Sequence, residues 1–118
     1  MTPIRITSFA FRDGGRPPAG VDHVFDARWL PNPHDVPELR PLDGRNPAVR
    51  DWLVHSTAMT AVFLANAMAG VTRHPGNVAV GCFGGRHRSV AVAEMLAILL
   101  RLVDYEVEVV HSALEGAK

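Results

Sequence analysis

Gly81-Cys82-Phe83-Gly84-Gly85-Arg86-His87-Arg88-Ser89 stands between a short apolar run, Val78-Ala79-Val80, and a longer apolar segment from Val90 to Val103. That order predicts a strand, a tight loop and a helix. The glycines at 84 and 85 permit positive φ, and a helix start presents unpaired N–H groups together with the positive end of its dipole. Such a loop is a cup for an anion. Arg86 and Arg88 carry forked donors that match phosphate oxygens, and His87 adds a proton or a hydrogen bond. Cys82, at the strand edge of the cup, faces the same positive field, a setting that can turn a thiol into a nucleophile.

Outward from the loop, the segment from Val90 to about Val103 predicts the longest helix. Its apolar residues lie nearly all round, so it is sandwiched in a core or shared with another subunit. Tyr105 to Val110 alternates and predicts a last strand with one wet face. Upstream, Asn46 and Pro47 mark the start of a short helix to His55, and a second helix runs from Ser56 or Thr57 to Ala69 with Gly70 as its stop. Pro31, Pro33 and Pro37 stiffen the loop that carries His34 and Asp35. Val21 to Leu30 predicts a strand with Asp26 and Arg28 near its carboxyl end, where open α/β sheets place ligands. Ile4 to Phe11 predicts the first strand. The order ββααβαβ argues for an α/β fold: a small single-domain sandwich with a mostly parallel sheet, spanning 1–118 with a core of about 4–114.

Composition narrows the function classes. Lys plus Arg and Asp plus Glu are both 12, so the formal net charge is zero and no global electrostatic grip on nucleic acid is expected. A hydrophobic content of 47% with 20% charged residues is that of an ordinary globular domain. The single cysteine cannot form an internal disulfide, and the amino terminus lacks an apolar targeting segment; both point to a cytoplasmic protein. No segment has the length and apolarity of a membrane span. His23, His55, His74 and His111 share no metal-ligand spacing, and no metal or other cofactor is expected.

Two resemblances carry further. The spacing Cys82-x5-Arg88-Ser89, with Gly85 between, resembles the phosphate loop of cysteine-dependent phosphatases. That resemblance implies a Cys82 thiolate attacking phosphorus while Arg88 holds the equatorial oxygens. The longer word Gly81-Cys82-x-Gly84-Gly85-x-His87-Arg88-Ser89-Val90 is similar to the signature of the C-terminal domain of the RapZ family of RNase adapter proteins. Ser8-Phe9-x-Phe11, Phe25-Asp26-x-Arg28-x-Leu30-Pro31-Asn32-Pro33-His34, Leu39-Arg40-Pro41 with Gly44, and Val92 to Glu94 extend the similarity over most of the chain.

The family resemblance implies a fold like part of a phosphofructokinase, assembly into homo-oligomers and binding of a phosphorylated small molecule such as glucosamine-6-phosphate. It also implies contact with regulatory RNA, which the family presents to an endoribonuclease. By motif position it implies a ligand site of Asp26, Arg28, His34, Cys82, Gly84, Gly85, His87 and Arg88, to which the loop reading adds Phe83, Arg86 and Ser89. Three departures stand out. The sequence has no Gly-x4-Gly-Lys-Ser/Thr motif, so ATP binding is not expected and a separate P-loop protein would have to supply it. It ends without a dense basic tail, which weakens the RNA reading. Phe83 stands where a small hydroxyl residue is familiar and reshapes the pocket. The favoured reading is a non-catalytic sensor of phosphate, sulfate or a sugar phosphate. The alternatives are an RNA-binding adapter and a phosphatase using Cys82 and Arg88, with Asp26, Asp35 or His34 as its general acid.

Overall fold

Residues 2–115 are described by a computed structural model, in which β3 (Val78–Cys82) is buried along its whole length. The reason is position. β3 lies between β2 (His23–Asp26) and β1 (Ile4–Ala10), and β4 (Val107–His111) flanks β1 on the far side, giving the order β2-β3-β1-β4. All three pairings are parallel. Strands enclosed on both sides read as continuous apolar runs, which explains why Val78-Ala79-Val80 shows no alternation.

Three long helices pack on the sheet and one another: α1 (Pro47–Ser56), α2 (Met59–Arg73) and α3 (Arg88–Leu102). One core cluster joins Ile4 and Ile6 of β1, Val78, Val80 and Cys82 of β3, and Val107 and Val109 of β4 to Leu53, Leu64, Val71, Val92 and Leu96 of the helices. These strand positions are two apart and share a face of the sheet. On the opposite face Arg5 and Glu108 form an ion pair at 2.7 Å. α3 touches β1, β3 and β4 as well as α1 and α2, which buries most of its apolar residues inside the domain and leaves Ile98 and Leu102 exposed.

Local chemistry explains the boundaries. Asn46 caps α1 by accepting the Ala48 N–H at 2.9 Å, with Pro47 at the first helical position. The Thr57 hydroxyl accepts the Met59 N–H at 3.1 Å at the start of α2. The expected stop at Gly70 is wrong: α2 continues to Arg73, because Gly70 is enclosed by helix and packs near Phe25 and His23 of β2. β2 is also shorter than Val21 to Leu30, since Ala27–Trp29 turns into a 3₁₀ segment capped by the Asp26 carboxylate. α3 starts two residues before Val90. A short helix, α4 (Ser112–Glu115), follows β4. No single helix among the described residues is long and apolar enough to cross a membrane; α1 and α2 together would pass on composition but are bent by 102°.

The register brings the carboxyl ends of three strands level. Gly81 of β3 lies opposite Phe9 of β1 and Asp26 of β2. The loops leaving those ends carry the candidate site.

Candidate functional site

From the end of β3 the chain turns through Phe83 to His87 and enters α3 at Arg88. Gly85 takes φ +66, and a Cβ there would lie 2.6 Å from the Ala113 Cβ and 2.9 Å from that of Ala10. Only glycine fits. Gly84 does not share this conformation, so one of the two glycines makes the turn rather than both. The first paired amide of α3 is that of Ala91, which donates to the His87 carbonyl at 2.9 Å, and His87 provides no side-chain cap. The amides of the first turn therefore have no acceptor among the described residues.

A second segment closes over this loop. Asn32 caps a 3₁₀ turn at Pro33–Asp35 by accepting the His34 N–H at 3.1 Å, and Arg40 Nε donates to the His34 carbonyl at 2.8 Å. The chain then descends to Gly44, whose amide donates to the Arg86 carbonyl at 2.9 Å. A Cβ on Gly44 would come within 2.2 Å of the Ala91 nitrogen and 2.5 Å of the His87 oxygen. Glycine is thus what lets the two segments meet, backbone against backbone.

Between them lies a cavity of about 490 Å³ lined by Arg12, Asn32, His34, Arg40, Cys82, Phe83, Gly84, Arg86, His87 and Arg88. Four arginines and two histidines share the wall, and no carboxylate among the described residues lines it. His34 and His87 stand with ring centroids 6.3 Å apart. Seven of the residues expected from sequence are gathered here: His34, Cys82, Phe83, Gly84, Arg86, His87 and Arg88. Asp26, Arg28, Gly85 and Ser89 are set back from the wall.

The arginines differ in what they have left to offer. Arg86 donates to the Pro41 carbonyl at 2.6 Å and the Leu42 carbonyl at 3.1 Å, fastening the covering loop. Arg88 is buried, and its Nη1 donates to the carbonyls of Arg28 at 3.0 Å and Leu30 at 3.1 Å. Both therefore bring charge to the cavity while part of each fork holds the fold. Arg28 itself turns to Asp26, with contacts of 2.7 to 3.1 Å, and lies 3.8 Å from the Phe11 ring centroid. The Arg28 guanidinium holds the Asp26 carboxyl below its ordinary range, and the charge of Arg88 acts in the same direction.

His87 is 6% exposed and its Nε2 has no hydrogen-bond partner among the described residues. Burial pushes its imidazole below the ordinary value, and the nearby Arg86 charge adds to the effect. The carbonyls of Leu42, Leu39 and Arg40 pull the other way, yet none meets Nε2 in hydrogen-bond geometry. An imidazole nitrogen without a partner among the described residues is thus sealed behind the cavity wall, under the covering loop. Cys82 is also buried, and its Sγ lies 3.1 Å from the Ser89 Oγ, donating to it.

Arg12, Asn32 and Arg40 were not expected as site residues. Arg12 follows a central strand at its carboxyl end, and that position was the available signal. Arg40 lies in the Leu39-Arg40-Pro41 word of the family resemblance but carries no local signal of a site, and it arrives through the fold of the proline-rich loop.

The fold and the cavity define a parallel α/β domain with an arginine-rich cavity at the carboxyl edge of its sheet. The family model described as the RapZ C-terminal domain matches residues 2–115, and the chain belongs to that family. It is 44% identical over 119 residues to a nucleotide-binding protein of Paramagnetospirillum magneticum, covering 93% of this chain and 38% of the relative. It is 43% identical over 109 residues to a nucleotide-binding protein of Mycobacterium tuberculosis, covering 85% and 36%. A nucleotide-binding protein of Thermobifida fusca is 40% identical over 115 residues, covering 90% and 38%. The chain spans a little over a third of the length of these curated relatives.

Proposed function

We propose that the domain is a regulatory module that binds a phosphorylated small molecule, such as the sugar phosphate glucosamine-6-phosphate, without converting it. The carrying observation is the cavity wall: Arg12, Arg40, Arg86 and Arg88 with His34 and His87, beside an uncapped helix start and free of carboxylates. Positive charge held by backbone carbonyls is preorganised, so an incoming anion finds its partners in place. Asp26 and Arg28 act one step back, positioning the turn after β2 whose carbonyls Arg88 holds. Isothermal titration of inorganic phosphate and glucosamine-6-phosphate tests the reading. Saturable binding that Arg88→Ala abolishes is expected; no heat from either ligand at millimolar concentration would refute it.

A module of this kind acts by changing a partner when loaded, and RNA is the partner the family resemblance implies. A gel shift with structured RNA across a salt series reads this directly, because phosphate-driven binding weakens steeply with salt. One observation favours a second reading, the phosphatase. The Cys82 sulfur is on the cavity wall, and the Ser89 hydroxyl at 3.1 Å could turn to donate to a thiolate. Turnover of an aryl phosphate that Cys82→Ser eliminates would support it, and turnover that survives would remove Cys82 from that role.

A further inference from the structure

Among the ten lining residues, Phe83 alone offers a large apolar face, and it is 52% exposed at the cavity's edge. A bare phosphate needs no such face, and a volume of about 490 Å³ lies within the roughly 300–1,000 Å³ of cavities that enclose small organic ligands. Phe83 is also held in place. Its carbonyl accepts the Arg12 N–H at 3.0 Å, while the preceding Cys82 carbonyl accepts the Phe11 N–H at 2.9 Å, so β1 and β3 stay paired beyond their formal ends. The Arg12 guanidinium carbon lies 5.0 Å from the centroid of the Phe83 ring. An aromatic ring set by backbone pairing, with a cation against it and a phosphate-receptive loop beneath, has the parts of a stacking platform.

We propose that Phe83, with Arg12 against it, is a specificity rim that selects phosphate monoesters carrying a ring over acyclic esters and inorganic phosphate. The ring of the ligand, whether a sugar's C–H face or a nucleoside base, lies on Phe83 while its phosphate reaches the arginines below. Arg12 leaves the aromatic face and pairs with the phosphate or the ring's polar edge. The inference rests on the anion-binding reading of the cavity.

The test titrates wild type, Phe83→Ala and Phe83→Trp with inorganic phosphate, glycerol 3-phosphate, glucosamine-6-phosphate and uridine 5′-monophosphate. Phe83 is exposed, so neither substitution endangers the fold. For at least one of the two ring esters, Phe83→Ala is expected to weaken binding about tenfold and Phe83→Trp to retain it, with inorganic phosphate and glycerol 3-phosphate unchanged. Which ring ester responds distinguishes sugar from nucleoside. If the ring esters bind wild type and Phe83→Ala equally, or no better than glycerol 3-phosphate, the rim is overturned while the anion site stands. If none of the four ligands binds, the anion site falls and the rim falls with it.

Discussion

His87 and Arg88 are adjacent, buried and differently charged, and the contrast produces separate consequences. Because burial depresses the His87 pKa, the unfolded chain takes up a proton near the ordinary value of 6.5 that the folded chain refuses. Stability is therefore complete above pH 6.5 and falls as the pH drops from there toward the lower folded value. Thermal melts between pH 7.5 and 5.5 should show this decline, and His87→Gln should flatten it. Arg88 keeps its charge throughout, and its loss is geometric. Arg88→Lys cannot reproduce a fork that spans the carbonyls of Arg28 and Leu30 while facing the cavity. It should cost about 1.5–3 kcal/mol in denaturant unfolding and weaken phosphate binding despite the conserved charge.

Between elements, the tightest junction is where Gly44 meets the start of α3. A methyl group there would overlap backbone atoms that have no rotamer to move, so Gly44→Ala should destabilise by at least ~1–3 kcal/mol and disturb the cavity. Loss of phosphate binding beyond what unfolding explains, measured by titration below the melting temperature, checks the second part. At the other edge of the sheet, His111 Nδ1 meets the Ser8 hydroxyl at 2.7 Å and its Nε2 meets Glu94 at 3.2 Å, tying β1 and β4 to α3. Ser8 is fully buried, so His111→Ala leaves an unpartnered hydroxyl and should cost roughly 1–3 kcal/mol in the same unfolding assay. These junctions also show what could be read in advance. β3, the loop and α3 announced themselves, because apolar runs, glycines and a helix start are local signals. The expected stop at Gly70 failed because tertiary packing against Phe25 and His23 overrode a local signal. Arg40 reaches the cavity, and Gly44 the start of α3, only through a chain reversal that periodicity and turn signals do not encode.

Across the whole molecule the formal charge is zero, yet four of the 11 arginines converge on one cavity. Charge is thus concentrated rather than spread, which suits a small anion better than a long polyanion. The cavity also gathers contributions from the end of β1, the loop after β2, the end of β3 and the start of α3. A ligand at 100 times its dissociation constant should therefore stabilise the domain as one unit, by about 2.7 kcal/mol, and raise the melting temperature by about 10 °C. A phosphate-dependent thermal shift with a single transition is the expected result. Self-association, which the family resemblance implies, is read by sedimentation; Trp29 and Leu102, respectively 81% and 73% exposed, are the apolar side chains to substitute.

β1 sits in the interior of the sheet, although it is written first. Arg5 meets Asn77 across 72 positions of the chain and Glu108 across 103. During synthesis this strand must wait for both neighbours, so the architecture cannot close until β4 has emerged. Such long-range closure slows folding, and stopped-flow refolding should fall in the millisecond-to-second regime rather than the microsecond one. Until then its apolar edge is open to wrong partners, and low temperature and dilution should improve the yield of refolded protein.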